Sequence, residues 1–87
     1  MSRNGRAVNG KDYRAVIIKF SLEMLEVGYI ELVKLLKATG ECQSGGIAKA
    51  AISQGKVRVD GLVELRKGRK IKRGEKVEFK GNTIEVV

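Results

Sequence analysis

The sequence predicts an α+β domain in which two helices are followed by a small, mostly antiparallel β-sheet. Three observations predict it. Two helix-periodic segments, 29–40 and 45–54, stand almost back to back, each closed by a glycine. Alternating apolar and polar residues recur at 56–59, 76–80 and 83–87, separated by the turn pairs Asp60-Gly61 and Gly81-Asn82. The 87 residues, 43% of them apolar, suffice for one small core and not for two.

Each element has a local reason. AVIIKF (15–20) carries a β-branched run and is expected to be a strand. SLEMLEVG (21–28) fits either one helical turn or a connection. Across 29–40, Tyr29, Leu32, Val33 and Leu36 share one face, Glu31, Lys34 and Lys37 face outward, and Gly40 supplies the C-terminal cap. The second helix starts behind Ser44, whose hydroxyl can accept an N–H of the first turn, and Gly55 closes it. Its expected buried face is Ile47, Ala48, Ala51 and Ile52, the alanines allowing close approach of the two helices. After Asp60-Gly61, LVEL (62–65) returns as a short strand. RKGRKIKRGE (66–75) reads as a basic stretch broken by Gly68 and Gly74, and 76–80 pairs with 83–87 across Gly81-Asn82. Residues 1–14 are polar, glycine-containing and basic, and are expected to be a disordered tail ahead of a single domain over 15–87.

Composition removes whole classes of chemistry. There is no histidine, which excludes metal sites built from His and Cys, His-based acid–base catalysis and Ser-His triads. Cys42 is the only cysteine, so no internal disulfide forms, and no histidine is present to activate it as a nucleophile. It is expected to be a small apolar filler. Neither enzymatic activity nor a cofactor is expected. MSRNGRAVNG at the N-terminus has no apolar signal region, and no apolar run approaches a membrane span. A cytoplasmic monomer with no membrane partner is the expectation.

The net charge of +8 is unevenly placed: +3 over 1–14, −1 over 15–43, and +6 over 44–87, where eleven basic residues face five acidic ones. A localised basic excess points to a polyanionic partner. The densest part, ELRKGRKIKR (64–73), sets Arg66, Lys67, Arg69, Lys70, Lys72 and Arg73 against Glu64. Such a run is either a solvated face or a phosphate-binding patch, and its density in so basic a chain favours the patch. Gly45 and Gly46 raise a related question. A helix N-terminus exposes N–H groups and a partial positive charge, and without Cβ atoms a phosphate can approach them closely, with Lys49 one turn further on. Alternatively the pair only permits tight packing or a sharp turn. Chemistry alone leaves both readings open. Tyr13, Phe20, Tyr29 and Phe79 are the only aromatics, and the last three suit the core. Recognition through phosphates and shape therefore fits better than base stacking, which suggests folded or double-stranded RNA.

IELVKLLKATG, SGGIAKAAISQGKVRVDG and VELRKGRKIKRGEKVEF together resemble the RNA-binding domain named for small-subunit ribosomal protein S-four, also called the alpha-L motif. The resemblance covers about residues 30–80 and is strongest to short stand-alone bacterial members of the YbcJ-like type. It implies two antiparallel helices packed on a small sheet and RNA bound across the start of the second helix and the neighbouring basic loop. It implies no catalysis. By position it assigns RNA contacts to Ser44, Gly45, Gly46 and Lys49 at the helix start, and to Lys56, Arg58, Arg66, Lys67, Arg69 and Lys70 in the basic strand and loop. The chain departs from the family at Gly45, where many ribosomal and synthetase-attached members carry arginine, and in 21–28, which is longer than the usual link. The expected function is non-enzymatic binding of structured RNA, ribosomal or transfer RNA above all. The alternative is a protein-interaction adaptor whose basic face meets an acidic partner on a ribosome-associated assembly.

Overall fold

A computed structural model of the chain describes residues 16–23, 25 and 27–87; the expected basic tail over 1–14 lies outside them. The elements run β1 (Ile17–Phe20), β2 (Tyr29–Glu31), α1 (Leu32–Ala38), α2 (Gly45–Ser53), β3 (Val57–Val59), β4 (Leu62–Val63), β5 (Lys70–Lys72), β6 (Lys76–Phe79) and β7 (Asn82–Val86). Five strands form one sheet in the order β1-β7-β6-β3-β4, antiparallel except where β1 runs parallel to β7. A second, two-stranded sheet joins β2 to β5. The architecture is the predicted α+β class.

Alternation in the sequence becomes burial in the sheet. Val57, Val59, Val77, Phe79, Ile84 and Val86 are buried, while Arg58, Lys76 and Glu78 between them are exposed. Leu32, Leu35 and Leu36 of α1 and Ala48, Ala51 and Ile52 of α2 close the same core, which Ile71 enters from the small sheet. Full burial of an aliphatic side chain contributes about 1.5–3 kcal/mol. The hairpins turn on two residues each: Asp60 (φ 52°) with Gly61 (φ 86°), and Lys80 (φ 53°) with Gly81 (φ 80°). Positive φ at both positions matches the right-handed twist of the flanking strands. The second turn therefore falls one residue before the expected Gly81-Asn82, and Asn82 opens β7, its amide donating to Glu41 Oε1 at 3.0 Å.

Four expectations need correction. The first helix does not start at residue 29: Tyr29 and Ile30 pair with Lys72 and Ile71, so the chain is extended until Leu32. The basic stretch 66–75 is not all loop, because Lys70–Lys72 supply that partner strand. The strand expected over 62–65 is confined to Leu62–Val63. Ile47 is not buried with Ala48 but stands 51% exposed, because the core-facing side of α2 is Ala48, Ala51 and Ile52. In 21–28 the described residues form no regular element; Leu22 is buried and its carbonyl accepts Leu25 N–H at 2.9 Å.

Candidate nucleic-acid interface

The two helices begin in different ways. Ser44 is extended (φ −147°, ψ 164°), and its Oγ accepts the Ile47 N–H at 3.2 Å, the cap expected from sequence. Its carbonyl takes the Ala48 N–H at 3.1 Å. The amides of Gly45 and Gly46 have no protein acceptor among the described residues. Neither glycine has positive φ. A Cβ built on Gly45 would meet nothing within 4 Å, and one on Gly46 only Ser44 Oγ at 3.9 Å. Neither tight packing nor backbone strain calls for glycine here. The start of α1 is instead filled from within: Leu32 N–H donates to Arg69 O at 2.8 Å and Val33 N–H to Lys67 O at 3.1 Å. The loop 67–69 thereby caps α1 with its own carbonyls.

That fastening brings the basic residues to the helices. A groove of about 410 Å³ is walled by Lys34 and Lys37 of α1, Lys49 of α2, and Lys67, with Gly45, Gly68, Val33 and Glu31 completing it. A second groove of about 590 Å³ shares Lys49, Lys67 and Gly68 and adds Ala50, Ser53, Leu65 and Arg66. The two run together past the open end of α2. A third depression, of about 550 Å³, continues along Gly68, Lys70 and Lys72.

The predicted site residues divide accordingly. Gly45, Lys49, Arg66 and Lys67 share the grooves, and Ser44 and Gly46 sit at the same helix start. Lys70 lies in the third depression with its Nζ 5.0 Å from the Tyr29 ring centroid, a cation–π distance. Arg69 is turned inward: Nη2 donates to Glu75 Oε2 at 2.6 Å and Nη1 to Glu64 Oε1 at 3.5 Å. Lys56 and Arg58 line a separate depression with Glu78 and the Lys80–Gly81 turn. Lys34 and Lys37, not among the expected site residues, also line the groove of Lys49 and Lys67. Read as an outward face, they carried a signal all the same, because their spacing of three puts two cations on one side of a helix.

Glu64 organises this loop. Its carboxylate accepts from Arg66 Nε at 2.9 Å and from the Arg66 backbone N–H at 3.0 Å. The Arg66 side-chain bond, against the opposing cost of burial, holds the Glu64 carboxyl at about 2, well below its ordinary 4.5. The same bond raises Arg66. Cys42 is buried, and burial pushes its thiol up, the opposite of what a nucleophile requires.

A family profile described as the S4 domain matches residues 24–87. YbcJ of Escherichia coli (strain K12), whose name marks it as a candidate RNA-binding protein, is 49% identical over 59 residues, covering 68% of this chain and 84% of the relative. YbcJ of Shigella flexneri matches to the same extent. The solution structure of E. coli YbcJ, described as revealing an alpha-L motif involved in RNA binding, superposes with a TM-score of 0.60 at 45% identity, over 79% of this chain and 85% of that one.

Proposed function

The chain belongs to the S4 domain family, and from that premise we propose that it is a non-enzymatic protein that binds structured RNA, ribosomal or transfer RNA, through phosphates and shape. One observation carries the proposal: the open N-terminus of α2, bare of Cβ atoms, faces a groove walled by Lys34, Lys37, Lys49 and Lys67. Backbone N–H groups and a ring of ammonium groups are suited to holding phosphate. Gly45 and Gly46 let the phosphate approach, Ser44 fixes the helix start, and Lys49, Arg66, Lys67 and Lys70 supply charge, with Lys34 and Lys37 added from α1. Arg69 supports the loop from inside. Lys56 and Arg58 flank a different depression and contribute to the general field rather than to this groove. On the same reading the protein works as a monomer in the cytoplasm, where a free buried thiol such as Cys42 stays reduced.

The test is a titration with a folded RNA hairpin and, in parallel, with an acidic polypeptide, at several salt concentrations. RNA should bind, and log affinity should fall linearly with log salt, by about 0.7–0.9 per phosphate contacted. The double variant Lys49→Glu, Lys67→Glu should lose RNA binding with its far-UV circular dichroism unchanged, since exposed charges contribute only tenths of a kcal/mol to stability, about 0.2–1 for a pair. Binding of the polypeptide but not of the RNA would support the adaptor reading instead.

A further inference from the structure

One residue does not fit a groove made only for phosphates. Glu31 sits among Lys34, Lys37, Lys49 and Lys67 with its side chain 41% exposed. It stands at the position that caps α1 but makes no side-chain cap bond, because the carbonyls of Lys67 and Arg69 take the first amides of that helix. Its one charged partner among the described residues is Lys34, at 3.9 Å, the far limit of an ion pair. A carboxylate here repels phosphate, so it weakens binding unless the ligand brings it hydrogen-bond donors. It has two acceptor oxygens side by side and no donor. The partner that matches is the Watson–Crick edge of guanine, which sets N1–H and the N2 amino group in parallel. Adenine and cytosine place an acceptor next to their amino group, and uracil flanks its single N–H with two carbonyls. The groove is about 410 Å³ and one wall is the half-buried Val33, which gives an apolar surface for a base to lie on.

We propose that this groove takes an unpaired guanine of the bound RNA, with Glu31 accepting its N1–H and N2–H while the surrounding lysines hold the flanking phosphates. The proposal deepens the reading of the groove as an RNA site and rests on it. Glu31 is then a specificity-determining residue: the lysines set how tightly RNA binds, and Glu31 sets which single-stranded base is accepted.

The experiment uses the full chain and three hairpins with one common stem. The first has an all-adenosine loop, the second has guanosine at alternate loop positions, and the third has inosine at those positions, which deletes only the N2 amino group. The guanosine hairpin should bind tightest, by about fivefold to a hundredfold over the adenosine hairpin, the range of one bidentate base contact, with inosine between them. In Glu31→Ala the three affinities should converge. The wild-type series stands by itself, whatever the variant does to folding. Equal affinities for the three hairpins in the wild type, with normal salt dependence, would overturn the guanine assignment and leave the RNA reading intact. A guanosine preference that persists in folded Glu31→Ala would also overturn it. Failure to bind any hairpin overturns both.

Discussion

A methyl group added at Gly45 would touch nothing within 4 Å, and at Gly46 it would rest against Ser44 Oγ at 3.9 Å. Packing therefore does not oppose alanine at either position, and helix propensity favours it by up to about 1 kcal/mol. Gly46→Ala is expected to hold or raise the melting temperature while weakening RNA binding, because the methyl group stands over the amides that a phosphate would reach. Melting and affinity measured on one preparation check this; a lower melting temperature with unchanged affinity of the folded form would refute it. Glu64 makes a second prediction at this scale. Its folded-state carboxyl lies at about 2, below the ordinary 4.5, so the folded chain resists protonation more than the unfolded chain does. The stabilisation is complete above about pH 4.5 and is lost as pH falls towards 2. Denaturant melts across that window should show a decline that Glu64→Gln reduces.

At the scale of elements, the segment 64–75 owes its shape to three charged side chains. Arg69 joins Glu64 to Glu75, and Glu75 Oε1 also accepts the Lys72 N–H at 2.7 Å. Arg69→Met would leave the largely buried Glu75 carboxylate without its cation and Glu64 with Arg66 alone, and is expected to cost about 1–3 kcal/mol. Adding Glu64→Gln and Glu75→Gln should recover part of that loss, which thermal melts of the two variants would measure. An unchanged melting temperature in Arg69→Met would show that the pairing does not hold the loop. Elements written in local signals were legible from sequence: the Ser44 cap, the alternation of Val57 and Val59, the Asp60-Gly61 turn, and the small residues of α2. Those that depend on a distant partner were not. Tyr29 and Ile30 have helical spacing with Leu32 and Val33, yet they are strand because Ile71 and Lys72 lie opposite them. The run from Arg66 to Arg73 cannot point all its side chains one way, but the spacing does not say which one turns in; the fold commits Arg69 to Glu64 and Glu75. Lys34 and Lys37 could not be joined to Lys49 before α1 was packed on α2. The glycine pair was legible as a question, and open space above it is what decides against the packing answer.

Across the whole molecule, charge and architecture are separated. The apolar alternation of the large sheet builds the core, and the grooves lie where the helices meet the segment after β4. The family profile begins at residue 24, so β1 stands ahead of the matched region, added to the sheet as its edge beside β7. Its four residues pair in parallel with Thr83 to Val86, and Val87 N–H donates to Phe20 O at 2.8 Å. That arrangement has a mechanical consequence. Tension on the chain ahead of Ile17 and beyond Val86 pulls two parallel neighbours in opposite directions along their length. The load falls on all their cross-strand bonds together, in shear, rather than peeling them one by one. Handles attached at the two ends of the chain should therefore give a higher rupture force in single-molecule pulling than handles at Lys56 and Glu64, which would open the β3–β4 hairpin bond by bond. A protein drawn out by both ends while gripping its ligand would hold until the β1–β7 pair ruptures, and the rest of the sheet would be shielded up to that point.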